Sequence, residues 1–94
     1  MIKVLKETEH YMIKTEDVDD VCFVHIDMYK MGKGVVKELK TLLDTLMEDR
    51  QSDVCFYSKL PESFKLAEAL KPLDAIIDIE SEGVKAKVGI WEYN

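Results

Sequence analysis

Gly32 and Gly34, one residue apart, follow an apolar run from Val21 to Met28 and precede an amphipathic stretch that begins at Val35. Glycine accepts positive φ and carries no Cβ, so a strand, a glycine turn and a helix start can gather the backbone N–H groups of Met31 to Val36 around an anion. The positive end of the following helix adds to that attraction, and phosphate is the ligand such a turn holds. The same two glycines also suit a plain tight connection in another α+β fold, which needs only their backbone freedom. His25 and Asp27 form a second constellation. A carboxylate two residues along one strand face can orient an imidazole for proton transfer, and a strand end that meets solvent accounts for the pair equally well. Cys22 and Cys55 sit in apolar runs with neither a CxxC nor a Cys/His spacing. They read as buried free thiols that pack strands, and no metal site is expected.

The elements that must position these groups are legible from periodicity. Val21 to Met28 is a β-branched and aromatic run with almost no charge before His25. Period two puts Val21, Phe23, His25 and Asp27 on one face and Cys22, Val24, Ile26 and Met28 on the other, which is wholly apolar, as under a helix. Beyond the glycines, Val35, Val36, Leu39, Leu42, Leu43, Leu46 and Met47 recur at helical spacing. Arg50-Gln51-Ser52-Asp53 ends that helix, and Val54-Cys55-Phe56-Tyr57 reads as a second buried strand. Strand, helix, strand implies a right-handed crossover and parallel pairing. Pro61 and Glu62 suit a helix start, and a shorter helix through Phe64, Leu66, Ala67, Ala69 and Leu70 closes before Pro72. Ala75 to Glu80 and Val84 to Tyr93 flank Ser81-Glu82-Gly83 as a hairpin. Val84, Ala86, Val88 and Ile90 share one of its faces; Trp91 and Tyr93 lie on the more polar one, either packed on a neighbour or offered to a partner. Before Val21, two short strands meet around Lys6-Glu7-Thr8-Glu9, and the acidic cluster Glu16-Asp17 and Asp19-Asp20 reads as a solvated turn.

The segment Tyr29-Lys30-Met31-Gly32-Lys33-Gly34-Val35-Val36-Lys37-Glu38-Leu39 resembles motif A of the GNAT superfamily of N-acetyltransferases, Arg/Gln-x-x-Gly-x-Gly/Ala. Gly34 falls on the first required glycine, Met31 stands where the family has Arg or Gln, and Val36 where it has Gly or Ala. The resemblance runs from about Val21 to Asn94 and implies an α+β fold: a mixed, mostly antiparallel sheet with two helices, like the C-terminal part of an acyl-CoA N-acyltransferase, in one abbreviated domain over residues 1–94. It implies acetyl-CoA as cofactor, with Met31, Gly32, Lys33, Gly34, Val35 and Val36 at the pyrophosphate and Ile26, Asp27 and Met28 along the pantetheine arm. The activity implied is acetyl transfer to an amine, on a protein among other acceptors. The second helix ends in Leu70 with no tyrosine at the family's general-acid position, so no catalytic residue is named. The alternative is a catalytically silent domain of the same shape that binds a protein or builds an assembly, as a small viral accessory protein would.

Composition narrows the partners. The 94 residues suit one domain with a small core, and no apolar run approaches the roughly 20 residues of a membrane helix. Charge interrupts Met1-Ile2-Lys3-Val4-Leu5-Lys6-Glu7 too early for a signal peptide, so a cytoplasmic protein without membrane contact is expected. Nineteen acidic against thirteen basic residues give a net charge of −6, which disfavours a nucleic-acid partner because phosphate-backbone affinity comes from Lys and Arg. That acidity serves solubility or a basic protein partner. Exposed strands at either end of the chain give a reason to expect a homodimer.

Overall fold

The computed structural model describes residues 2–59 and 61–93. In chain order these form β1 (Ile2–Glu7), β2 (Tyr11–Val18), β3 (Val21–Met28), α1 (Val35–Arg50), β4 (Val54–Ser58), α2 (Pro61–Leu70), β5 (Ala75–Ser81) and β6 (Val84–Trp91). The strands build one six-stranded sheet in the order β1-β2-β3-β4-β6-β5. Only β3 and β4 run parallel, joined through α1, and the other neighbours are antiparallel. The fold is therefore α+β, with a mostly antiparallel sheet and two helices. Among the described residues no helix is long and apolar enough to cross a membrane.

Two tight hairpins fix the register. Asp19 and Asp20 take φ of 49° and 66° between the paired Val18 and Val21, and Glu82 and Gly83 take 53° and 78° between Ser81 and Val84. Positive φ at both central residues gives a turn whose twist matches that of the strands it joins. The acidic cluster is thus only half a turn. Glu16 and Asp17 belong to β2, where Glu16 lies 3.2 Å from His25 Nε2 and Asp17 pairs with Arg50 at the end of α1. Partners on other elements, the His25 imidazole and the Arg50 guanidinium, hold these carboxylates in a strand that propensity alone disfavours.

Both helices cover the same face of the sheet. Leu39, Leu43 and Met47 of α1 meet Tyr11, Ile13, Cys22, Val24, Val54 and Phe56, with Ala67 and Leu70 of α2 completing the core. Leu39 and Leu43 are essentially inaccessible, and burial of each contributes about 1.5–3 kcal/mol. Trp91 is fully buried there, tilted against Phe56 with ring centroids 6.2 Å apart, and its Nε1–H donates to the Lys71 carbonyl at 2.7 Å. Of the two readings for Trp91, packing is the one realised. This residue also draws β6 into the middle of the sheet, between β4 and β5, so that the indole lies beneath the helices.

Candidate cofactor loop and strand opening

The segment between β3 and α1 is fastened to the turn between β1 and β2. The His10 carbonyl accepts the N–H groups of Tyr29 at 2.8 Å and Lys30 at 3.1 Å. The His10 ring lies against Gly32 so closely that a Cβ at that position would sit 2.5 Å from Nε2. Any larger residue at position 32 would therefore have to displace the imidazole. Gly34 is required by conformation: it caps α1 with φ 82°, and a Cβ there would meet nothing within 4 Å.

Helix α1 has no side-chain cap. The Val35 N–H reaches back to the Gly32 carbonyl at 3.3 Å, and the Glu38 N–H donates to the Gly34 carbonyl at 3.0 Å. Among the described residues no hydrogen bond is seen from the N–H groups of Met31, Gly32, Lys33, Gly34, Val36 or Lys37. Val36 and Lys37 are in the first turn of the helix, where uncapped donors and the macrodipole favour an anion. Met31 is 66% exposed, and Lys33 and Gly34 are exposed as well. Val35 is buried in the core and Val36 packs against it half-buried.

On β3, Ile26 and Met28 turn toward the helices and pack against the core, while Asp27 is on the opposite face, 3.4 Å from Lys14. His25 and Asp27 each take a partner from β2, Glu16 and Lys14 respectively. Along its other edge β3 is bonded for less than half its length. It pairs with β4 at Cys22↔Val54, Phe23↔Cys55 and Val24↔Phe56, and no pair joins the two strands beyond that. Yet β3 continues to Met28 along β2, and β4 continues to Ser58 along β6. The pairing of the two parallel strands ends at Val24 and Phe56, and the part of β3 beyond it leads toward the start of α1. Thus Ile26, Asp27 and Met28 lie on the stretch of β3 that β4 leaves unpaired, and Gly32 to Val36 follow on the connection into the helix.

No family model, curated protein or solved structure matches this chain.

A separate cleft of about 750 Å³ lies on the far side of β4, lined by Lys59, Phe64, Ile76, Asp78, Lys85 and Lys87 among others. Lys87 and Asp78, cross-strand neighbours of β6 and β5 on its wall, lie 3.8 Å apart. Cys22 is in the core and Cys55 on the opposite face of the sheet, both buried and free, and burial pushes both thiols up. Their thiolates are correspondingly scarce at neutral pH. Among the described residues no group of three His, Cys, Asp or Glu side chains converges as a metal site would need.

Sequence reasoning missed one polar cluster beside the loop. Tyr11, inaccessible at the start of β2, donates its hydroxyl to Glu38 Oε1, which also accepts from Lys6 Nζ at 2.6 Å. Burial, and then the Glu38 contact, push the Tyr11 phenol up to about 12. The hydrogen bonds from Lys6 and Tyr11 hold the Glu38 carboxyl below its ordinary value. The three residues are 27 and 32 positions apart along the chain, so no local pattern announces them.

Proposed function

We propose that this chain is an acetyl-CoA-binding domain of N-acetyltransferase type, acting on an amine. The observation that carries the reading is the early end of the β3–β4 ladder, which leaves Ile26 to Met28 unpaired on that edge, together with the uncapped start of α1. An extended, amide-bearing pantetheine arm is recognised by a strand edge that still has free backbone groups, and a pyrophosphate by the free N–H groups of a helix start. In this chain Ile26, Asp27 and Met28 would hold the first, and Met31 to Val36 together with Lys37 the second. The donor set fits: the amides of Val36 and Lys37 make no hydrogen bond to the described protein, and the Val36 side chain packs against the core. Lys33, exposed beside them, supplies positive charge where Met31 cannot.

Bound there, acetyl-CoA supplies an acyl group already activated as a thioester. The chain's own contribution is orientation: a fixed strand edge and a fixed helix start hold the two ends of the cofactor, and holding reactants in register removes much of the entropic barrier to transfer. Calorimetric titration with acetyl-CoA tests the reading. Binding at submillimolar concentration is expected, weakened about tenfold by Lys33→Glu through like-charge repulsion. Absence of heat at millimolar ligand would overturn it.

A further inference from the structure

The face of the sheet opposite the helices is left uncovered, and we infer that a second copy of this chain packs on it, sheet against sheet. Register assigns to this face most of the large apolar side chains that remain exposed: Ile2 and Val4 on β1, Tyr57 on β4, Ile77 and Ile79 on β5 and Val84 on β6. Ile77 is 48% and Ile79 38% exposed. Across β4, β6 and β5 the face carries no charged side chain, because Asp78, Glu80, Lys85 and Lys87 all alternate to the helix side.

Size and charge select the occupant. Six strands about 4.8 Å apart, each about seven residues long at about 3.3 Å per residue, present a footprint of about 650 Å². A stable interface buries about 800 Å² per partner; the flat footprint is about four-fifths of that, so a dimer would use the whole face, far more than a single added strand covers. Charge on the face is confined to β1–β3. There Lys14 pairs with Asp27 and His25 lies against Glu16, while Glu7 at the rim accepts from the Tyr29 hydroxyl at 2.7 Å. An identical face thus meets mostly locally paired charge, although each copy carries −6 overall. A two-fold axis running across the strands lays uncharged half on uncharged half, the self-complementarity an isologous contact requires. Sheets stacked about 10 Å apart interdigitate such side chains as a sandwich core does.

Sedimentation velocity on the intact chain reads the outcome. The wild type is expected at twice the mass of one chain at tens of micromolar, and the dimer strengthens with added salt because screening relieves repulsion between two acidic copies. Ile77→Lys, or Ile79→Lys should the first fail to fold by circular dichroism, is expected to return a monomer. Ile76→Lys, on the same strand but the helix side, is expected to leave the dimer intact. A wild type that stays monomeric at high salt and hundreds of micromolar overturns the inference. So does a dimer that survives both outer-face lysines, or one that Ile76→Lys breaks equally, which would put the contact at the β5 edge.

Discussion

The two halves of β3 do different work. From Cys22 to Val24 the strand is bonded on both edges, to β2 and β4, and Cys22 and Val24 are buried under α1. From His25 to Met28 it is bonded to β2 alone, and its side chains are half-buried or exposed. Composition marks the change, since His25 and Asp27 enter the run there, but it does not explain the lost pairing. Topology does: α1 carries the chain away from the end of β3 and delivers β4 beside its beginning, leaving the second half with an edge no strand claims. Damage to the closed half should cost stability, and damage near the open half should cost contacts with a ligand or with the loop.

The largest effect is expected over the closed half. Leu39→Ala removes a fully buried side chain from the core that α1 forms with Val24, and about 2–5 kcal/mol of stability should be lost in denaturant titrations. A loss under 1 kcal/mol would mean that the core relaxes to fill the space left and that the two halves are less distinct than described. Next comes the fastening of the loop. Gly32→Ala drives a methyl into the His10 ring and should cost about 1–3 kcal/mol, most of it recovered when His10→Ala is added. Strict additivity of the two substitutions would show that the histidine does not hold the loop.

The smallest effect is a pH dependence at the Tyr11–Glu38 contact. The folded phenol stands at about 12, above its ordinary value of about 10, so the unfolded chain surrenders this proton first. The resulting stabilisation is complete below about pH 10 and is lost as pH rises through about 12. Tyr11→Phe should flatten the decline of the thermal midpoint across that window relative to wild type, and identical alkaline declines in both proteins would remove Tyr11 as the cause.

Much of this architecture can be read from local pattern. The apolar run from Val21, the heptad-like recurrence from Val35 to Met47 and the turn at Glu82-Gly83 each carry their own periodicity or turn chemistry. Glu16 and Asp17 mislead because an isolated acidic pair favours a turn, whereas His25 and Arg50, supplied from elsewhere, hold it in a strand. The insertion of β6 between β4 and β5 is equally non-local: it follows from burying Trp91 under α2, which a hairpin signal does not express. At the candidate site the need for glycine at both positions is legible, but its causes differ. Gly34 answers to its own φ, a local property, and Gly32 to a histidine 22 positions earlier. The early end of the β3–β4 ladder coincides with the first polar residue of the run, His25, a signal that a solvent-facing strand end gives equally well.

The open half of β3 can be tested residue by residue. In two-dimensional amide spectra of the protein titrated with acetyl-CoA, the account expects saturable shifts at Ile26 to Met28 and at Gly32 to Lys37, with little change at Lys59 or Lys87 in the cleft beyond β4. Shifts that cluster at that cleft, or none up to millimolar ligand, would contradict it.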